Sequence, residues 1–301
     1  MNQGACTYDV VILTDDRYVN PAELNAYTNN VLKEDMLVQQ ALEAKGLKVS
    51  RKSWSDPNFN WNSAGKCLFR STWDYFERFD EFSTWLKKVN GQTELCNPEH
   101  IIRWNLDKHY LRDLEGKGIR IAPTLFLERG RKEGIKDLML AAGWEKCVLK
   151  PCISGAGRHT YLITEETASN YDTLLHSLLK NESMMLQEFQ HQVVRQGEIS
   201  IIIIDGKVTH AVLKKARPGE FRVQDDFGGT VTLYEPTKQE IDFALKVMEA
   251  VDQPLLYARV DIFRDNTGEP ALAELELIEP ELWFRLHPGA AETLAMGIDK
   301  F

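Results

Sequence analysis

The stretches YARVDIFR (Tyr257–Arg264) and ALAELELI (Ala271–Ile278) flank the turn sequence DNTGEP. Apolar residues alternating with charged ones on both sides of a Gly-containing turn predict a β-hairpin. If the turn is centred between Thr267 and Gly268, Asp261 faces Glu274 and Arg259 faces Glu276. Side chains alternate along a strand, so these four residues share one face. Ala258, Val260, Ile262, Ala273, Leu275 and Leu277 share the other. Like charges opposite each other destabilise a sheet. Spacing leaves two readings open. The three carboxylates hold a hard divalent cation through oxygen ligands, or they form a solvated face that Arg259 partly neutralises.

Working back along the chain, Glu198–Ile204 and Lys207–Lys214 flank Asp205-Gly206, a strong hairpin signal. Lys238–Val251 is predicted helical, with Ile241, Ala244, Leu245 and Met248 on one face. Between Pro123 and Gln187 the pattern predicts strands at Thr124–Glu128, Cys147–Lys150, Thr160–Ile163 and Met184–Glu188. Helices are expected at Ile135–Ala142 and Glu165–Lys180. Asn105 is expected to cap a helix over Leu106–Glu115, after a strand at Ile101–Trp104. The first hundred residues read as strands Asp9–Leu13, Leu47–Ser50 and Lys66–Arg70. Helices at Asn30–Lys45 and Glu81–Val89 alternate with them, and Gly46 ends the first. Val31, Met36, Leu37, Ala41 and Leu42 make its apolar face. Alternating strands and helices imply a parallel sheet.

The chain has 301 residues, 43% hydrophobic and 27% charged, which excludes a disordered or fibrous protein. The longest aliphatic run, Ile201–Ile204, is far short of the roughly 20 residues of a membrane helix. A net charge of −9 argues against broad nucleic-acid or anionic-membrane binding. Residues 1–15 lack a basic segment followed by an apolar core. Five cysteines without close pairs (Cys6, Cys67, Cys96, Cys147 and Cys152) suit reduced thiols, so a cytoplasmic protein is expected. Neither CxxC nor HExxH occurs, and the usual zinc spacings are absent.

Three further features bear on chemistry. Lys150 closes a strand before Pro151 and the loop Cys152–His159, which contains Gly155 and Gly157. Such loops bring backbone amides and a lysine to phosphate oxygens, although the same pattern also makes an ordinary turn. Gln187-Glu188-Phe189 closes one strand and Glu198 opens another; in isolation they read as solvent-facing strand ends. Lys214-Lys215-Ala216-Arg217 and Arg222 precede Gly228-Gly229. A basic loop in an acidic chain suits an anionic ligand or a solvated hairpin end.

Taken in order, these features resemble the ATP-grasp superfamily, in the branch of glutathione synthetase and the ribosomal-protein-S6 glutamate ligase. The order is Lys108 at a helix start, Lys150-Pro151 with its Gly loop, Gln187-Glu188-Phe189, Gly197-Glu198, the basic loop, then Asp261 and Glu274-Leu275-Glu276. The match runs from about Ile101 to Pro280. IRWNLDK (Ile102–Lys108) and LELIEP (Leu275–Pro280) look like the subgroup containing the D-cycloserine-forming ATP-grasp ligase. The resemblance implies an α/β fold: an N-terminal parallel α/β domain (1–104), a central lobe (105–187) and a C-terminal lobe (188–301). It implies ATP and Mg2+ as cofactors. Lys108 and Lys150 would hold the phosphates, under a loop of Ser154, Gly155, Ala156 and Gly157, and Lys214 would also bind ATP. Gln187, Glu188 and Phe189 would hold adenine, and Glu198 the ribose. Arg222 and Lys150 would be catalytic. Asp261, Glu274 and Glu276 would bind magnesium; many relatives have Asn where Glu276 stands.

The activity so implied is a ligase that activates a small carboxylate as an acyl phosphate for attack by an amine. A small-molecule kinase and a non-catalytic nucleotide-binding module are the alternatives. Small-molecule substrates are expected, with neither nucleic acid nor membrane as partner and a homodimer left open. For the acceptor, Arg70, Trp73, Asp74 and Tyr75 follow a predicted parallel strand, where open α/β sheets bind ligands. Arg70 would clamp a carboxylate while Trp73 or Tyr75 walls a pocket; a packed helix start with Arg70 in an ion pair is the other reading.

Overall fold

A computed structural model describes residues 6–155, 157–220 and 228–301. Three sheets organise them. The first has the parallel order β2-β1-β3-β4, from β1 (Tyr8–Thr14), β2 (Val49–Ser53), β3 (Ala64–Ser71) and β4 (Glu94–Cys96). The parallel sheet was expected. The three-residue β4 was not, because it is too short to show a period.

The helix after β1 spans Ala26–Ala44, starting four residues before the expected Asn30. Asn25 accepts from Thr28 N, and Thr28 Oγ1 accepts from Asn25 N, closing a capping box. Its inner face also differs from expectation. Val31, Val38 and Leu42 are buried together with Glu34 and Asp35, while Met36 is exposed. The acids are inside because they have partners there. Glu34 accepts from the Phe284 and Arg285 amides at 2.8 Å each, and Asp35 from Arg51 and Ser71. Buried carboxylates persist only when paired in this way.

Residues Glu99–Asn105 form a helix where a strand was expected. Asn105 ends this helix and does not cap the next one, Tyr110–Gly116. Its amide instead donates to Leu275 O and accepts from Leu277 N, both at 2.8 Å. A side chain thereby satisfies strand-edge backbone groups that would otherwise be buried unpaired.

The second sheet is antiparallel, in the order β5-β8-β6-β7. Its strands are β5 (Thr124–Leu127), β6 (Lys146–Pro151), β7 (Tyr161–Thr164) and β8 (Met184–Glu188). Helix Ile135–Ala142 covers it as expected. The expected Glu165–Lys180 helix is shorter: a 3-10 turn at Ala168–Tyr171 leads into Asp172–Leu178.

The third sheet has the order β11-β10-β9-β12-β13. Its strands are β9 (Glu198–Ile204), β10 (Lys207–Lys215), β11 (Thr230–Tyr234), β12 (Tyr257–Arg264) and β13 (Pro270–Glu276). Helix Lys238–Val251 has the expected bounds. The expected register also holds, with Arg259 opposite Glu276 and Asp261 opposite Glu274. One residue further a bulge pairs Ile262 with Leu272. Ala273, expected on the apolar face, is thereby turned to the cavity beside Phe263. A helix at Gly289–Gly297, not foreseen, packs Ala291, Leu294 and Ala295 into a core shared with Val38 and Leu42.

Candidate active site

A cavity of about 740 Å3 opens where the three sheets meet. That volume falls in the range of roughly 300–1,000 Å3 typical of small-molecule sites. Lys108 reaches it from the segment between two helices, Lys150 from the end of β6, Lys214 from β10, and Asp261, Glu274 and Glu276 from the β12–β13 pair. The loop residues Ser154, Gly155 and Gly157, the β8 end Gln187-Glu188-Phe189, and Glu198 line it too. Ala156 and Arg222 lie outside the described residues.

The charges are interleaved. Lys108 Nζ pairs with Glu274 Oε1 at 2.8 Å and donates to Ser154 O at 2.9 Å. Lys214 Nζ bridges Glu198 (2.5 Å) and Asp261 (3.0 Å). Asp261 is fully buried and also accepts from Ser200 Oγ at 2.5 Å and Arg259 at 2.8 Å. Burial alone would raise its proton affinity, but Arg259 and Lys214 hold it well below the usual carboxylate range. Burial opposes the charge on Lys108, and the carboxylate of Glu274 restores it. For Lys150 the balance is the reverse: burial, with Lys108 adding repulsion, outweighs the pull of Glu274 and lowers its pKa. Burial pushes Glu276 up to about 8 despite Arg259, with Glu274 and Asp261 adding to the rise. Glu279, also on the cavity wall, is pushed up to about 7 by burial.

This surplus of carboxylates, all oxygen donors, fits a hard divalent cation. The oxygens of Asp261, Glu274 and Glu276 are at present directed onto Arg259, Lys214 and Lys108. Among the described residues, the potential ligand atoms that gather within 4.8 Å are those of Asp107, His109 and Cys152. There His109 spends both ring nitrogens on Asp107 and Glu128, and burial pushes the Cys152 thiol up to about 12. That arrangement is a hydrogen-bonded helix start.

At the end of β8, the Glu188 and Phe189 amides already donate to Pro123 O and Lys146 O. Gln187 donates through its side chain to Thr124 Oγ1 at 2.9 Å. Those two amides are therefore already occupied, which leaves carbonyls and side chains to face the cavity.

The four acceptor-site candidates separate. Trp73 and Tyr75 line the cavity. Arg70 and Asp74 do not. Arg70 is buried beneath it, donating to Pro280 O at 3.0 Å over the Phe284 ring, and Asp74 pairs with Trp54 Nε1 and Arg78. Sequence reasoning missed the cavity positions of Glu279, Trp283, Tyr18 and Tyr27. Glu279 and Trp283 lie in irregular chain after β13, where no periodicity exists to assign them a face.

Comparison with known proteins bears on this geometry. The family model of the RimK-like ATP-grasp domain matches residues 133–276, and that of the D-cycloserine synthetase DcsG N-terminal domain matches residues 10–97. The cycloserine biosynthesis protein DcsG of Streptomyces lavendulae is 30% identical over 256 residues, covering 81% of this chain and 85% of that protein. A probable alpha-L-glutamate ligase of Shewanella pealeana is 30% identical over 142 residues; the match spans 46% of this chain and 30% of that protein. The crystal structure of D-cycloserine synthetase DcsG superposes with a TM-score of 0.85 at 24% identity, over 97% of this chain and 98% of that one. A D-alanine–D-alanine ligase from Bacillus anthracis gives a TM-score of 0.69 at 13% identity, over 97% and 96% of the two chains.

Proposed function

The chain belongs to the ATP-grasp ligase family, in the group that joins a DcsG-type N-terminal domain to a RimK-like ATP-grasp domain, and on that premise we propose how its cavity works. The activity class is ATP-dependent ligation of a carboxylate to an amine. A carboxylate is a poor acylating agent at neutral pH. One of its oxygens attacks the γ-phosphorus of ATP and ADP leaves. The amine nitrogen then attacks the carbonyl carbon of the acyl phosphate, phosphate departs, and the nitrogen loses a proton. Phosphoryl transfer of this kind needs positioning and charge neutralisation more than covalent help from the protein.

In this reading Lys108, Lys150 and Lys214 hold phosphate oxygens beneath the Ser154–Gly157 loop. Gln187, Glu188 and Phe189 hold the base, and Glu198 the ribose. Arg222 steadies the transferred group. Asp261, Glu274 and Glu276 would hold magnesium, which supplies charge neutralisation at the phosphates when bound. Lys108 and Lys214 would exchange carboxylate partners for phosphate oxygens. The observation that carries the reading is the convergence of these three lysines on one acidic centre within a single cavity. The division into units 1–104, 105–187 and 188–301 belongs to the proposal, and the three separate sheets support it. So does a cytoplasmic setting, which suits five free cysteines. No helix among the described residues is long and apolar enough to cross a membrane.

Small-molecule substrates follow from the size of the cavity. A screen of carboxylate and amine pairs for ADP release, with mass spectrometry of the products, tests the ligation. A thermal melt with ATP, with and without magnesium, tests the site. One-site linkage gives a stabilisation of about 2.7 kcal/mol at 100 times the dissociation constant. No shift in either melt would remove the nucleotide-site assignment.

A further inference from the structure

After β13 the chain runs Leu277-Ile278-Glu279-Pro280, of which Ile278 and Glu279 line the cavity. Three successive carbonyls of this segment each accept a hydrogen bond from a side chain elsewhere in the fold. Ile278 O accepts from Tyr257 Oη at 2.6 Å. Glu279 O accepts from Trp73 Nε1 at 3.0 Å. Pro280 O accepts from Arg70 Nη1 at 3.0 Å. Backbone held at three consecutive points has little freedom to move its side chain, which is the condition for a preorganised site.

The side chain so held is a carboxylate on the cavity wall. Buried Tyr75 lines the same cavity. Its neighbours on that wall are neutralised by direct contact: Asp261 and Glu276 by Arg259, Glu274 by Lys108, and Glu198 by Lys214. Glu279 differs. Among the described residues no cation lies within ion-pair distance of it, and Lys108, which attracts it through space, is committed to Glu274. A partly buried carboxylate without a cation either takes up a proton or is stabilised by a cationic ligand.

We propose that Glu279 is the counter-ion for a primary ammonium group on the substrate, and that Trp73 and Arg70 are its positioning residues. The ammonium donates a hydrogen bond to the carboxylate, beside Tyr75 on the same cavity wall. The assignment rests on the ligase reading above and adds a specificity-determining residue to it. It also explains why Arg70, buried below the cavity, holds a backbone carbonyl instead of a substrate carboxylate.

The test measures ADP release with ATP, magnesium and a panel of free amino acids of both hands, each beside its N-acetyl counterpart. Turnover is expected with a free amino acid and not with its N-acetyl form. For that compound Glu279→Gln raises KM at least tenfold with a smaller change in kcat, and Glu279→Asp retains part of the affinity. Trp73→Phe keeps the ring but removes the indole N–H, so it raises KM in the same direction. In every variant the magnesium–ATP thermal shift stays at its wild-type value, which reports a folded nucleotide site. Equal KM in Glu279→Gln and wild type overturns the assignment. So does turnover of the N-acetyl compounds alone or as fast as the free ones, and so does ADP release with other carboxylates but with no amino acid. Those results leave the ligase reading standing. Absence of both the thermal shift and ADP release with every compound overturns the reading itself, and this assignment with it.

Discussion

Asp261 and Glu274 stand opposite each other across the β12–β13 pair, yet each carboxylate is drawn to a different lysine. Asp261 pairs with Lys214 from β10 and with Arg259 beside it, and Glu274 pairs with Lys108 from the helical segment outside the sheet. This partition relieves the repulsion that facing acids suffer in a sheet. In the proposed reading, phosphate oxygens would replace these carboxylates on the two lysines.

The partition predicts different outcomes for two conservative variants. Asp261→Asn leaves Lys214 and Arg259 buried with less counter-charge, and should destabilise the fold by about 3–5 kcal/mol. Glu276→Gln should cost less than Asp261→Asn, because Arg259 keeps Asp261 as its partner and the amide keeps the size of the side chain. Turnover should fall sharply in Glu276→Gln and also in Glu274→Gln. Full activity and unaltered magnesium dependence in both Gln variants would reduce this face to a polar sheet surface.

Gly197 lies immediately before Glu198 with φ at +93°, and a Cβ there would sit 2.4 Å from Lys214 O. Gly197→Ala should therefore cost more than the roughly 1–3 kcal/mol of backbone strain alone. It should also weaken ATP binding by moving Glu198 against Lys214. Gly46→Ala is the control, because its φ is +83° and a Cβ there would meet nothing within 4 Å. Equal losses of stability in the two variants would contradict the steric argument.

His210 is buried, with Nε2 donating to Leu282 O at 2.9 Å and Nδ1 accepting from Thr209 Oγ1. Burial, with His287 stacked against it, lowers its pKa from 6.5 to about 4. Between those values the unfolded chain binds a proton that the folded chain does not. Stability contributed here is therefore complete above pH 6.5 and falls as the pH drops towards 4. The loss from pH 7 to pH 5 should be about 2 kcal/mol. Urea midpoints at the two pH values should show a smaller loss in His210→Gln; an identical loss would remove His210 from the account.

Arg222, which lies outside the described residues, is assigned to the transferred phosphoryl group by sequence alone. Its planar fork makes paired hydrogen bonds that lysine cannot. Arg222→Lys should slow product formation at least tenfold, about 1.4 kcal/mol in the barrier, with a smaller effect on ATP affinity. Hydroxylamine added to the wild-type reaction should trap the carboxylate substrate as a hydroxamate. A stable phosphorylated product that resists hydroxylamine would point to a kinase.

The sequence by itself determines features whose physics is local. The β12–β13 register follows from alternation about one short turn, so Arg259–Glu276 and Asp261–Glu274 could be paired without any structure. Helix Lys238–Val251 and the β9–β10 hairpin are legible for the same reason, since helical period and turn chemistry act over a few residues. The bulge at Ala273 escaped that reading because one inserted residue leaves the composition of both strands unchanged. What the tertiary structure alone decides is which distant group a polar side chain meets. Asn105 repairs the edge of β13 across 170 residues, Glu34 anchors the Phe284 and Arg285 amides across about 250, and Arg70 secures Pro280 across 210. Burial makes each of these partners obligatory, because an unpaired polar group inside costs more than its hydrogen bond returns. No periodicity along the chain encodes who that partner is, so the packing of the three sheets selects it.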